Sequence, residues 1–94
     1  MNDIKNIING FNHIITQIIE INDQIANLPS NCNEYEFQRL LDAKSNYQSE
    51  ARGAWYMLLV ISQITWKECN YIRQQIETAQ LIDYEQYIAA TKEG

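Results

Sequence analysis

The sequence predicts an all-α protein: a small helical bundle built on a long antiparallel helical hairpin (about 3–28 and 34–64), with shorter C-terminal helices. Three observations predict it. Large apolar residues fill every a position (Ile4, Phe11, Ile18, Ile25) and every d position (Ile7, Ile14, Ile21, Leu28) of a heptad repeat in the first third of the chain. A helix that gathers them on one seam must bury that seam against other helices. The only proline, Pro29, stands where this pattern ends and a second long helical pattern begins. No strand-like alternation of apolar and polar residues occurs anywhere.

The first helix runs from about Asp3 to Leu28, with Asn2 or Asp3 able to cap its start. Pro29 stops it, because proline disfavours helical geometry in the residue before it. Gly10 falls inside and costs roughly 1 kcal/mol relative to alanine. Ile8 and Ile15 at e positions, and Ile19 at b, widen the stripe past a two-stranded seam. Isoleucine at both a and d favours three or more helices around the core. Pro29 to Asn33 form a short loop, and Asn33 with Glu36 has the spacing of a capping box that opens the second helix near Glu34. Phe37, Leu40 and Leu41 give that helix an apolar beginning. Between Asp42 and Arg52, only Ala43, Tyr47 and Ala51 are candidates for burial. Gly53 marks a place for a kink. Ala54 to Ile61 is apolar on all sides, which suits either the centre of the bundle or an oligomer interface. Thr65 with Glu68 forms a second capping-box pattern, in competition with a continuous helix, since neither Gly nor Pro marks a turn. Cys69, Ile72, Ile76 and Ala79 keep helical spacing. Asp83 with Gln86 can cap a last short helix carrying Tyr84, Tyr87 and Ile88, and the tail Thr91 to Gly94 is expected to fray.

Ninety-four residues make one domain at most, with a core small enough that burial against a partner is expected to contribute. The net charge of −5 argues against a nucleic-acid binder held by a basic stripe, so no DNA duplex binding is expected. The acids are too dispersed for a DNA mimic. Asn and Gln are frequent (Asn2, Asn6, Asn9, Asn12, Gln74, Gln75), and the regular apolar spacing marks them as the polar faces of ordinary helices. Cys32 and Cys69 make no CxxC pair, and His13 is the only histidine, so neither a structural zinc site nor another metal or cofactor is expected. The start lacks the basic and apolar regions of a signal peptide, and the longest apolar run is too short for a bilayer. A cytoplasmic protein is expected.

No catalytic constellation stands out. His13 falls on the polar face with no positioned partner, and the acids Glu34, Glu36, Asp42, Glu77, Asp83 and Glu85 read as solvated faces and helix-start charges. The cations are more informative. Arg39, Lys44, Arg52 and Arg73 interleave with Tyr35, Tyr47, Trp55, Tyr56 and Tyr71. Arginine forks bind phosphate and aromatic faces stack on bases. The competing reading is amphipathic packing with intramolecular pairs such as Glu36–Arg39. Tyr, Trp, Met and Arg also dominate interface hot spots. Trp55 and Trp66, eleven residues apart, would share one side of a continuous helix. The candidate ligand or partner surface is therefore Arg39, Lys44, Tyr47, Arg52, Trp55, Tyr56, Trp66 and Arg73.

Ala43-Lys44-Ser45-Asn46-Tyr47-Gln48 resembles the A-R-T-x-L-Q stretch in the second long helix of the phage anti-CBASS cyclic-oligonucleotide sponges. Tyr56-Met57-Leu58-Leu59-Val60 resembles their following F-M-x-L-V stretch, although the separation, Ser49 to Trp55, is longer here. Ser45, Gln48 and Met57 are the positions that carry over. The resemblance implies a compact homo-oligomer, typically a hexamer, that sequesters cyclic nucleotide signals between subunits. The function expected is that of a non-enzymatic binding protein. Its sharper form is a small phage-type inhibitor of a host defence system, acting by stoichiometric sequestration of a host protein partner or a cyclic oligonucleotide. The alternative is a structural coiled-coil subunit whose role is oligomerisation. A homo-oligomer, and no membrane association, are expected in either case.

Overall fold

A computed structural model describes residues 3–92. It is all-α, with four helices: α1 (Asp3–Ala26), α2 (Glu34–Val60), α3 (Trp66–Glu77) and α4 (Tyr84–Thr91). The cap read at Asn2 and the last two residues of the tail lie outside the described residues. α1 and α2 form the antiparallel hairpin, α3 packs on both of them, and α4 packs on α3. At 1.5 Å per residue, α2 alone is roughly 40 Å long, and the molecule measures 51 × 24 × 21 Å.

The buried stripe of α1 is Ile8, Phe11, Ile15 and Ile18, with Ile14 and Ile21 beside it. This corrects the a/d seam. Ile4, Ile7, Ile25 and Leu28 are only half-buried, whereas the e residues Ile8 and Ile15 are 3% and 0% exposed. The physical reason is the width of the apolar stripe: with isoleucine at e as well, Ile8, Phe11, Ile15 and Ile18 recur at spacings of three and four on one face, and α1 turns that a/e side to the core. Ala51 on α2 is fully buried in the same core, and Tyr47, Ala54, Trp55, Leu58 and Leu59 pack against it from one side. Ile64, Cys69, Ile72, Ile76, Ile82 and Tyr87 close the core from the C-terminal third.

Both ends of the hairpin differ from the sequence boundaries. α1 stops at Ala26, before Leu28. α2 stops at Val60 and not near residue 64, after running through Gly53 without a break. Ser62 adopts φ 61°. Its N–H donates to Leu59 O (3.1 Å), while the Gln63 N–H reaches back to Leu58 O (2.8 Å). This pair of bonds is a Schellman motif, which caps the final carbonyls and turns the chain. Thr78 ends α3 in the same way: Ala79 has φ 52°, and Ala79 and Gln80 donate to Ile76 O and Gln75 O. Neither left-handed position carries a glycine, which is why neither turn stood out in the sequence.

Three helix starts are capped by side chains. Asn33 Oδ1 accepts from the Glu36 N–H at 2.8 Å. The reciprocal half of that box is missing, because the Glu36 carboxylate binds Arg39 instead, at 2.7 Å. At Thr65 both halves form: Thr65 Oγ1 accepts from the Glu68 N–H, and Glu68 Oε1 accepts from the Thr65 N–H. Asp83 Oδ1 accepts from the N–H groups of Glu85 and Gln86. The segment before α4 is anchored to α1 by one side chain. Asn12 Nδ2 donates to Ile82 O at 2.8 Å, and Asn12 Oδ1 accepts from the Ile82 N–H at 2.7 Å. The Lys5 ammonium lies 5.1 Å from the centre of the Tyr84 ring on the same side.

Candidate functional site

The helix-breaking turn at Ser62 decides the fate of the most apolar stretch. Ala54, Trp55, Leu58 and Leu59 face the bundle, and the rest of the stretch faces solvent. Tyr56 is 64% exposed, Met57 60% and Val60 61%. Ile61 is also exposed, as is Trp66 at 67%. The stretch is therefore not central in the bundle. Helical spacing places Tyr56 with Val60 and Met57 with Ile61 as two adjacent i, i+4 pairs on one face. Gly53 lies one turn earlier on that face, and a side chain added there would meet nothing within 4 Å. Trp55 and Trp66 do not share a helix side. They sit on α2 and at the start of α3, the first half-buried and the second exposed.

On the other flank of α2, a cavity of about 340 Å³ opens toward α3. α2 contributes Gln48, Arg52 and Trp55 at helical spacings of four and three, which align them on one face. α3 contributes Arg73, Ile76 and Glu77 by the same spacing rule. The fold thus unites three of the eight candidate residues, Arg52, Trp55 and Arg73. Among the described residues the one ion pair is Arg39–Glu36, so neither cavity arginine is tied to an acid.

The other five candidates lie elsewhere. Arg39 is near the start of α2, where hydrogen bonding to Glu36 and the charge of Glu36 hold its guanidinium above the ordinary value. Lys44 and Tyr47 are half-buried, and Tyr47 packs on the core. Tyr56 belongs to the exposed apolar face of α2, and Trp66 is exposed at the start of α3. The sequence reading did not single out Ile76 and Glu77 for this cavity. Their spacing from Arg73 was visible, but the register of α3 on α2 was not.

A second hollow, about 470 Å³, lies between α1 and α2. Its apolar wall is Ile7, Phe11, Ile14, Ala54 and Leu58, and the exposed His13 sits at its edge. Gly10 opens it, since an added Cβ there would touch nothing within 4 Å.

Glu68 is the polar hinge of the C-terminal third. One oxygen closes the Thr65 capping box and the other accepts the hydroxyl of the buried Tyr87. Burial first, then the bond to Glu68 and its charge, push the Tyr87 phenol far above its ordinary value. The Tyr71 ring lies 5.8 Å away, tilted by 60°. Burial also raises the Tyr71 phenol and the Cys69 thiol. Both cysteines are free. Among the described residues no helix is long and apolar enough to cross a membrane, and no group of three or more His, Cys, Asp and Glu side chains could hold a metal ion. Compared with known proteins, the chain matches no family model, no curated protein and no solved structure.

Proposed function

We propose that this chain is a non-enzymatic binding protein that occupies a protein partner stoichiometrically through the exposed face of α2. The observation that carries the reading is the set Tyr56, Met57, Val60, Ile61 and Trp66, each more than half exposed. Together these side chains offer on the order of 600 Å² of mostly apolar surface, given ~150–250 Å² for a whole aromatic residue. A standard interface takes about 800 Å² from each partner, so the α2 face and Trp66, engaged together, would supply most of one partner's share. No charge interrupts it between Gly53 and Ile61. The two i, i+4 pairs match the anchor spacing of a helix laid into a hydrophobic groove. The partner is therefore a folded protein presenting such a groove. The resemblance of Ala43–Gln48 and Tyr56–Val60 to the anti-CBASS sponges, both stretches lying on α2, supports placing the chain among phage-type inhibitors of host defence in the host cytoplasm.

The assembly reading, in which a second copy covers the apolar surface, draws support from the hollow between α1 and α2, where the d residue Ile7 is only half-buried. Native mass measurement of the tagged protein isolated from its natural host separates the two. A discrete complex with a different protein is expected, and it should be lost on Met57→Asp combined with Val60→Asp, with helicity unchanged by circular dichroism. A particle containing only copies of this chain would overturn sequestration in favour of assembly. A monomer from the unmodified protein would overturn both.

A further inference from the structure

We infer that the cavity between α2 and α3 is a binding site for a single nucleoside monophosphate. It is separate from the apolar face and does not depend on the protein-docking reading. The chain is acidic, with seven Lys and Arg against twelve Asp and Glu. Even so, two of its cations, Arg52 and Arg73, come from different helices to line one cavity of about 340 Å³. Among the described residues neither is in an ion pair, so both guanidinium forks are available to an anion. Guanidinium forks match the oxygens of a phosphate. The remaining lining suits what such a phosphate would carry. The half-buried Trp55 provides aromatic surface for a flat ring. The Gln48 amide offers both a donor and acceptors to a ring edge.

Glu77 narrows the ligand class. A carboxylate in the same cavity repels a second anionic group and accepts from an N–H or O–H. The ligand therefore has one anionic end and one neutral, hydrogen-bond-donating end. A nucleoside monophosphate has both, through its phosphate and its base or ribose. The volume is at the lower end of small-ligand pockets, which run from roughly 300 to 1,000 Å³. One nucleotide fits that scale, and a cyclic oligonucleotide exceeds what a single chain's cavity encloses.

The test is isothermal calorimetry of the whole chain with AMP and GMP, alongside adenosine, inorganic phosphate and a cyclic dinucleotide. A Trp66→Phe form leaves Trp55 as the sole indole for fluorescence titration. A nucleoside monophosphate should bind saturably and quench Trp55, at least tenfold more tightly than adenosine, phosphate or the cyclic dinucleotide. Arg52→Gln and Arg73→Gln should each weaken it at least tenfold. Arg→Lys at either position should fall between, since the charge stays and the fork goes. Both arginines are exposed, so helicity should be unchanged, and the lysine variants answer the question if a glutamine variant fails to fold. No heat with either monophosphate would overturn the proposal. So would equal affinity in the arginine variants, or phosphate alone binding as tightly as the nucleotide.

Discussion

Ser62 and Ala79 hold left-handed backbone, at φ 61° and 52°, where the Cβ of an L-residue crowds the following carbonyl. The conformation costs roughly 1–2 kcal/mol for such a residue and far less for glycine. Each turn still forms because the Schellman bonds satisfy the last carbonyls of α2 and α3. Ser62→Gly and Ala79→Gly should each stabilise the protein by about 0.5–1 kcal/mol, after the greater freedom of glycine in the unfolded chain offsets part of the gain. In a chain this short, that raises the midpoint of thermal unfolding by about 2–8 °C. Thermal denaturation followed by circular dichroism measures it, and an unchanged or lower midpoint would show that the backbone strain is not relieved.

Helix starts were the most legible elements. Asn33, Thr65 and Asp83 all cap helices, because a short polar side chain followed by an acid or amide is a local signal that needs no knowledge of the fold. Helix ends are less so: serine and alanine at the left-handed positions do not advertise a turn, and α2 ends four residues before the boundary its apolar spacing predicts. The site divides along the same line. Arg52 and Trp55 share a face by spacing alone, but their meeting with Arg73 depends on how α3 docks. Glu68 joins two elements, capping α3 and holding the Tyr87 hydroxyl of α4. Its arrangement sets an alkaline limit. The folded pKa of Tyr87 is raised above the unfolded value of about 10, so its contribution is fully present below pH 10 and is lost as pH climbs above it. Stability should fall by up to about 1.4 kcal/mol per pH unit for each such group, and Tyr87→Phe should flatten the slope. Tyr71, raised in the same direction, leaves a residual slope. Urea titrations between pH 8 and 11.5 measure it, and equal slopes in the two proteins would remove Tyr87 from the account.

The whole molecule is longer than its size requires. Its radius of gyration is 15.2 Å, against roughly 12 Å for a compact chain of this length. The excess reflects uneven packing. The main core gathers Ile8 to Ile18 with Ala51 and the C-terminal third, whereas Ile21 and Leu40 are buried outside that cluster and Ile25, Leu28 and Leu41 are only half covered. Local opening should follow this gradient. Hydrogen exchange should release amides near Leu28 and Phe37 first and those of Ile15, Ile18 and Ile72 last, and uniform protection along α1 would contradict it. The two bonds of Asn12 bear on how the chain is made. They bridge a separation of 70 residues, and the core around Ile15 and Ile18 is completed by cover from Ile64, Ile72, Ile76, Ile82 and Tyr87. A ribosome delivers α1 long before it delivers that cover. The nascent chain therefore carries an oily helix with only α2 to shelter it, and final folding waits until the last helix has been synthesised.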